Sequence, residues 1–350
     1  MRRKLFITLS LLIAFSLVTF TIFYLKKDSK SAEVSTDIIT DFDELMGNES
    51  IKTDEKGLLN PYTGMVLDEN ESMHDAFLAI IENSRDARPQ SGLSLADFVY
   101  EVITEGGITR FLALFNSSYA EKIGPIRSAR YYFLDLAKEF DLPFAHCGGS
   151  HDALDILSRD KTLKSINEMS YSNYFSRDNS RKAPHNLYTS TENIENFLSE
   201  NTFAENNIRT LIFDDNFWTN EDLENCQNIN LNLSNYYSTS YTYSENGYIK
   251  SMDGEETIDA VTNEPLVFNN IIIQFTNIKQ REKEDYMDIE LLGTGDAIII
   301  SNGKYTKGTW SKTDNNSQTT IKDSNNKIIP LSIGKTIWHI VDTTNEILIY

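Results

Sequence analysis

The chain has 350 residues, 52 of them acidic and 32 basic, for a formal net charge of −20. Such a field repels polyanions at long range, so bulk nucleic-acid binding is excluded and any anion site has to be a local pocket that overrides it. Two cysteines, Cys147 and Cys226, are too few for a disulfide framework or a cysteine-rich zinc site.

Leu5 to Leu25 carries no charge and is bracketed by Arg2-Arg3-Lys4 and Lys26-Lys27. At ~1.5 Å per helical residue it is long enough to cross a bilayer core. A cleaved signal peptide has a shorter apolar region, about 7–15 residues, and a small-residue cleavage site; the exit here is Phe23-Tyr-Leu-Lys-Lys. The reading is an uncleaved single-pass anchor over residues 1–27, contacting the membrane through residues 5–25. An N-terminal anchor before a large polar body usually delivers that body outside, although basic residues at both ends orient it weakly. No Cys lies in the first 146 residues, so lipid attachment through an N-terminal Cys is excluded. Residues 28–57 are polar and acidic without periodicity, which predicts a flexible linker. Beyond residue 30, 26 basic residues face 51 acidic ones, a net charge of −25.

From Leu58 onward the chain is long enough for two domains with cores of their own. In residues 58–225, short apolar runs such as Ala79-Ile-Ile, Phe98-Val-Tyr-Glu-Val-Ile and Arg110-Phe-Leu-Ala-Leu-Phe predict buried strands. Helical spacing covers Ser128–Phe140, Asp152–Leu157 and Thr191–Glu200, the last opened by the capping residue Ser190. This alternation predicts a mixed α/β sandwich domain. Residues 226–350 change texture, with turn signals every 8–12 residues between β-rich runs, and predict a smaller all-β domain laid out as a meander. Asn302-Gly303, between Ile298-Ile-Ile and Lys304-Tyr, is the clearest hairpin. No internal repeat implies a solenoid.

Residues 83–130 set Arg85, Arg88, Arg110, Arg127 and Arg130 beside glycines and prolines, against the acidic background. Arginine presents a planar fork of donors to phosphate or carboxylate, so the pattern points to an anion-binding pocket with Glu101, Glu105, Ser150, His185 and Asn186 on its lips. If Ser128 starts a helix, Arg127 and Arg130 lie at its N-terminus, where free N–H groups also favour an anion. The bland reading is that these arginines pair with Asp97, Glu101 and Glu105 in structural bridges. His146-Cys-Gly-Gly-Ser-His151 offers metal ligands or a nucleophile, but its spacing fits no standard zinc pattern and no Gly-x-Ser-x-Gly elbow is present; a Gly-rich turn that caps the next helix suffices, and no metal site is assigned. Glu105, His146 and His185 are the candidate catalytic groups. His74 and His339 read as ordinary surface or core histidines.

Ile81-Glu-Asn-Ser-Arg-Asp-Ala-Arg-Pro-Gln-Ser-Gly-Leu, Glu105-Gly-Gly-Ile-Thr-Arg-Phe, Ile123-Gly-Pro-Ile-Arg-Ser-Ala-Arg, His146-Cys-Gly-Gly-Ser and His185-Asn-Leu-Tyr together resemble the YerB-type family of bacterial envelope lipoproteins, whose function is unassigned. Gly303-Lys-Tyr-Thr-Lys-Gly-Thr-Trp-Ser-Lys is similar to that family's C-terminal β domain. The likeness spans residues 58–345 and implies a two-domain cell-surface protein of a Gram-positive-type bacterium, without a settled reaction. This chain departs from the lipoprotein pattern in lacking an anchoring Cys. A looser likeness, in strand order and arginine placement, is to the LytR-CpsA-Psr envelope phosphotransferases. It implies that Arg110, Arg127 and Arg130 would clamp a diphosphate, that Glu105 would hold Mg²⁺ or act as base, and that wall glycan would be the acceptor.

Three functional readings follow. The first is an extracytoplasmic envelope protein that binds an anionic cell-wall polymer or an envelope protein partner through the arginine pocket. The second is an envelope phosphotransferase or hydrolase acting on lipid-linked or peptidoglycan-type polymers, with Mg²⁺ as its candidate cofactor. The third is a scaffold ectodomain.

Overall fold

Tyr100 and Glu101 stand next to each other on a central strand and point to opposite faces of the largest sheet, and the two faces define the architecture. The structure, a computed structural model, describes residues 59–67, 73–204, 209 and 211–350. The expected anchor over residues 5–25 and the linker over 28–57 lie outside the described residues. Among the described residues no helix is long and apolar enough to cross a membrane. From Gly57 onward the chain forms one compact unit.

We number the strands of three or more residues in the two main sheets: β1 Phe77–Glu82, β2 Phe98–Ile103, β3 Thr109–Phe115, β4 Phe144–His146, β5 Ser165–Asn167, β6 Asn228–Asn232, β7 Ser238–Ser244, β8 Gly247–Met252, β9 Asn270–Thr276, β10 Gly293–Ser301, β11 Lys304–Lys312, β12 Thr320–Lys322, β13 Thr336–Asp342 and β14 Glu346–Ile349. The helices are α1 Tyr131–Phe140, α2 His151–Arg159 and α3 Thr191–Glu200. The large sheet runs β12-β11-β10-β9-β13-β2-β3-β1-β4-β5, and the second runs β8-β7-β6-β14 with the short Glu255–Glu256 strand on the outer side of β8.

Every residue of β1, β2 and β3 is buried, because both faces of the sheet are covered. On one face, Phe98 and Tyr100 meet both Trp338 and Phe140 of α1, with the Phe98 and Phe140 ring centroids 5.2 Å apart. On the other, Glu101 and His339 face β7 and β8 of the second sheet, where Tyr241 Oη lies 2.7 Å from His339 Nε2. The expected mixed α/β segment and β-rich segment are both present, but the second is not a self-contained meander. Its strand β13 inserts parallel between β2 and β9, so the large sheet runs across the expected 225/226 boundary. Ile271-Ile-Ile in β9 and Ile337-Trp in β13 are continuous apolar runs that need cover on both faces, which the centre of this sheet supplies.

Helix α3 opens at Thr191 with Ser190 Oγ accepting from the Asn193 N–H at 3.1 Å. The Asn302-Gly303 turn joins β10 to β11 with both residues at positive φ, as a two-residue hairpin requires. Helix α1 begins at Tyr131, three residues later than the spacing predicts. The N–H of Arg127 donates to Ile80 O and that of Ala129 to Gly148 O, so this backbone is spent on bridges to β1 and the next loop. The free helix terminus expected at Ser128 is therefore absent.

Candidate functional site

The ends of β1, β2 and β4 and the start of β3 share one edge of the large sheet, and the arginine-bearing loops gather there. Glu82, the last residue of β1, is nearly buried and stands in register with Arg110. Its carboxylate has three partners: Arg127 Nε at 3.2 Å, His185 Nδ1 at 3.0 Å and Ser84 Oγ, which donates at 2.9 Å. Glu105, beyond β2, binds the other two arginines. Arg110 Nη2 donates at 3.1 Å and Arg130 Nη2 at 2.8 Å to the same oxygen, while Arg130 Nε holds the second. Two further nitrogens of this pair are engaged, Arg110 Nη1 on Ser128 O and Arg130 Nη1 on Ala129 O.

Electrostatics follow from these contacts. Burial pushes the Glu105 carboxyl up, but the Arg130 hydrogen bonds and the Arg110 charge outweigh it and hold it below the usual range. Burial, then the neighbouring Arg130 charge, lower Arg110 to about 10, so it stays a cation at neutral pH. Three guanidinium hydrogen bonds take up most of the acceptor sites of this carboxylate and favour its ionised form, which argues against the expected role of Glu105 as base or Mg²⁺ ligand.

The other expected residues are placed as follows. His146 is fully buried, with Nδ1 2.7 Å from Gly148 O and Nε2 2.7 Å from Ser165 Oγ. Burial lowers its pKa to about 4, partly offset by the Gly148 carbonyl, so it is a neutral core residue with both nitrogens occupied and not a base or ligand. Cys147 is half-buried, and burial, with the hydrogen bond to Glu168, raises its thiol to about 11, far from an activated nucleophile. Ser150 Oγ donates to Asp152 at the start of α2, and His151 is exposed. Asn186 closes its own loop, accepting from Arg177 Nη1 at 3.1 Å. Arg88 is bound to Asp253 at 2.8 Å and to Asn83, and the exposed Arg85 reaches the same aspartate at 3.4 Å. Glu101 is sealed between the two sheets with Lys250, so it lines no pocket. Among the described residues no group of three His, Cys, Asp or Glu is arranged to hold a metal ion.

Arg127 differs from its neighbours. It is half-buried, yet neither terminal nitrogen has a hydrogen-bond partner among the described residues, and its Nε meets Glu82 only at ion-pair geometry. Beside it, the His185 side chain, partly exposed, is anchored through Nδ1, and its Nε2 lies 4.0 Å from Asp86. Glu82, Asn83, Gln90, Lys250 and Asp253 complete these networks and were not singled out by sequence. For Glu82 a signal existed, a carboxylate closing an apolar strand directly before Asn-Ser-Arg; the partners in the second segment left none.

Two family models match the chain, "Protein of unknown function (DUF3048) N-terminal domain" over residues 62–204 and "Protein of unknown function (DUF3048) C-terminal domain" over residues 228–338. The chain belongs to the DUF3048 family. The resemblance read from the motifs is thereby borne out. Within the family, the YerB protein of Bacillus subtilis (strain 168), which carries the name of a lipoprotein, is 30% identical over 289 residues, covering 80% of this chain and 82% of its own. The crystal structure of YerB protein from Bacillus subtilis superposes with a TM-score of 0.74 at 30% identity, over 83% of this chain and 99% of that one. The DUF3048 name records no reaction or ligand for either segment.

Proposed function

We propose that this chain is a membrane-attached envelope protein, its body outside the cell, that binds an anionic group of a cell-wall polymer or an envelope partner at the rim formed by Arg127 and His185. The name of the Bacillus subtilis relative supports the location, and the uncharged run Leu5–Leu25 supports the attachment. The observation that carries the binding reading is the pair of unpartnered Arg127 terminal nitrogens. Every other half-buried or buried arginine of the candidate set is spent on a carboxylate or carbonyl, whereas Arg127 offers two parallel N–H donors to an incoming phosphate or carboxylate. Glu82 orients that guanidinium and His185 together, so the rim is preorganised. Acidity elsewhere confines anion capture to this point.

The test is titration of the full chain, in detergent, with inorganic pyrophosphate, citrate and purified peptidoglycan. Saturable binding is expected, weakened at least tenfold by Arg127→Ala and restored in part by Arg127→Lys; binding indifferent to Arg127 would overturn the reading. Protease treatment of intact and lysed cells tests the location, with cleavage expected in both.

A second reading, catalysis, has one observation in its favour: Glu82 holds the partly exposed His185 through Nδ1 rather than Nε2, the arrangement of a carboxylate-oriented general base. Ser84, the hydroxyl nearest, donates to Glu82 itself, so any nucleophile would come from substrate or water. Turnover of wall polymer lost in His185→Gln, with binding retained, would establish this reading in place of the first.

A further inference from the structure

A cleft of about 560 Å³ separates the Arg85–Gln90 loop of the first segment from residues 252–258 of the second. It lies beyond Arg88, apart from the Arg127 rim. On its first wall, the Gln90 side chain is 1% exposed and donates from Nε2 to Glu82 O at 3.1 Å and Asn83 Oδ1 at 2.9 Å, which fixes Oε1 as the other end of the amide. That Oε1 has no hydrogen-bond partner. On the facing wall, Thr257 is 6% exposed, and its Oγ1 is likewise without a partner. Gln90 and Thr257, which carry two of the five such buried side-chain atoms among the described residues, therefore line one cleft. Buried polar atoms in native proteins are nearly all paired, so an unpaired one needs a partner the protein does not itself supply.

The lining narrows the chemistry of that partner. Asp253 is already engaged by Arg88 and Arg85. Glu255 and Glu256, both exposed, pair with β8 through their backbone, while their side chains form no ion pair or hydrogen bond among the described residues. The unsatisfied groups are thus an amide oxygen that can only accept, a hydroxyl, and two carboxylates that favour positive charge. The net charge of −20 also draws cations towards the surface, where it resists anions. A bare metal ion is a poor match, since no three-carboxylate grouping exists among the described residues. A protonated primary amine carries one charge and three N–H donors, which matches Gln90 Oε1, Thr257 Oγ1 and one carboxylate of Glu255 or Glu256.

We infer that this cleft is an ammonium-binding site that receives the primary amine of a ligand, such as the side-chain amine of a lysyl peptide. The two walls come from the two matched family segments, so a ligand there bridges them.

The test uses the full chain in detergent with Nα-acetyl-lysine amide as probe and its Nε-acetylated counterpart as control, followed by backbone amide shifts. Saturable shifts over residues 88–90 and 253–258 are expected for the free amine, with the acetylated compound at least tenfold weaker. Thr257→Val should weaken binding about three- to tenfold while leaving the unfolding midpoint unchanged or raised, because the hydroxyl it removes is unpaired in the free protein. Glu255→Gln with Glu256→Gln should cost at least tenfold and remove most of the salt dependence. Equal binding of the acetylated compound, no saturable binding of the amine, or indifference to the Glu255 and Glu256 changes would each overturn the inference. Arg127→Ala should leave amine binding intact; its loss there would also overturn a separate site, whatever the fate of the anion rim.

Discussion

Lys250 Nζ lies 2.8 Å from Glu101 Oε2, and neither side chain is exposed to solvent. The pair joins the two sheets. Glu101 Oε1 accepts from Tyr237 Oη at 2.5 Å and Thr109 Oγ1 at 2.7 Å, while Lys250 also reaches Thr239 Oγ1 and Tyr241 Oη. Burial alone would raise the Glu101 pKa, but the Lys250 charge, joined by His339 and by the hydrogen bonds from Lys250 and Tyr237, outweighs it and holds the carboxyl at about 2. Lys250 is itself lowered by burial, with Glu101 opposing. Their 2.8 Å contact favours the charged form of each against the cost of burial.

Removing one partner strands the other charge in the core. Lys250→Met is expected to destabilise the fold by about 3–5 kcal/mol. The double variant Lys250→Met with Glu101→Gln should cost less than the sum of the single changes, because the residual charge is gone. Urea midpoints of the four proteins measure this, and strict additivity would show that the pair is not coupled.

Stability should fall as pH drops below about 6.5. Burial lowers His339 to about 3, against the opposing Glu101 charge, and lowers His146 to about 4, both from an ordinary 6.5. The folded state keeps these rings neutral while the unfolded chain takes up protons, so their contribution is complete above pH 6.5 and is lost on acidification. Glu101, depressed from 4.5 to about 2, adds a second loss in the same direction below pH 4.5. Denaturation midpoints at pH 7.5 and 5.0 should differ in favour of 7.5, and His339→Gln should shrink that difference; a flat profile would count against the neutral buried histidines.

Gly124, in the Gly-Pro-Ile-Arg motif, has φ +146°, and a Cβ there would meet Leu187 O at 2.8 Å and Ile126 N at 2.9 Å. Neither atom is a flexible side-chain end. Gly124→Ala is expected to cost about 1–3 kcal/mol through backbone displacement, seen as a lowered melting temperature. An unchanged melting temperature would mean the loop yields freely, and the motif would then need a ligand-based account.

Local order was legible wherever adjacent residues decide it. The apolar runs of β1, β2 and β3, the Ser190 cap of α3 and the Asn302-Gly303 turn depend on spacing and on backbone preferences over a few positions, and all five features stand where the pattern puts them. The arginines of residues 83–130 were also visible as a group against the acidic background. Their state of charge compensation was not. Glu105 could be paired with Arg110 from five residues away, but Arg88 meets Asp253 across 165 residues and Glu101 meets Lys250 across 149.

Sequence alone determined the family, the central strands and the acidic background against which any site must work. The tertiary structure decided which charges remain available, because β13 inserts beside β2 and brings a second sheet over Glu101. That packing turns His339 from an ordinary histidine into part of a buried ionic cluster, and it spends most of the candidate arginines on structure. Arg127, half-buried, keeps terminal nitrogens without a hydrogen-bond partner among the described residues, since burial and pairing are set by which surfaces meet rather than by residue order.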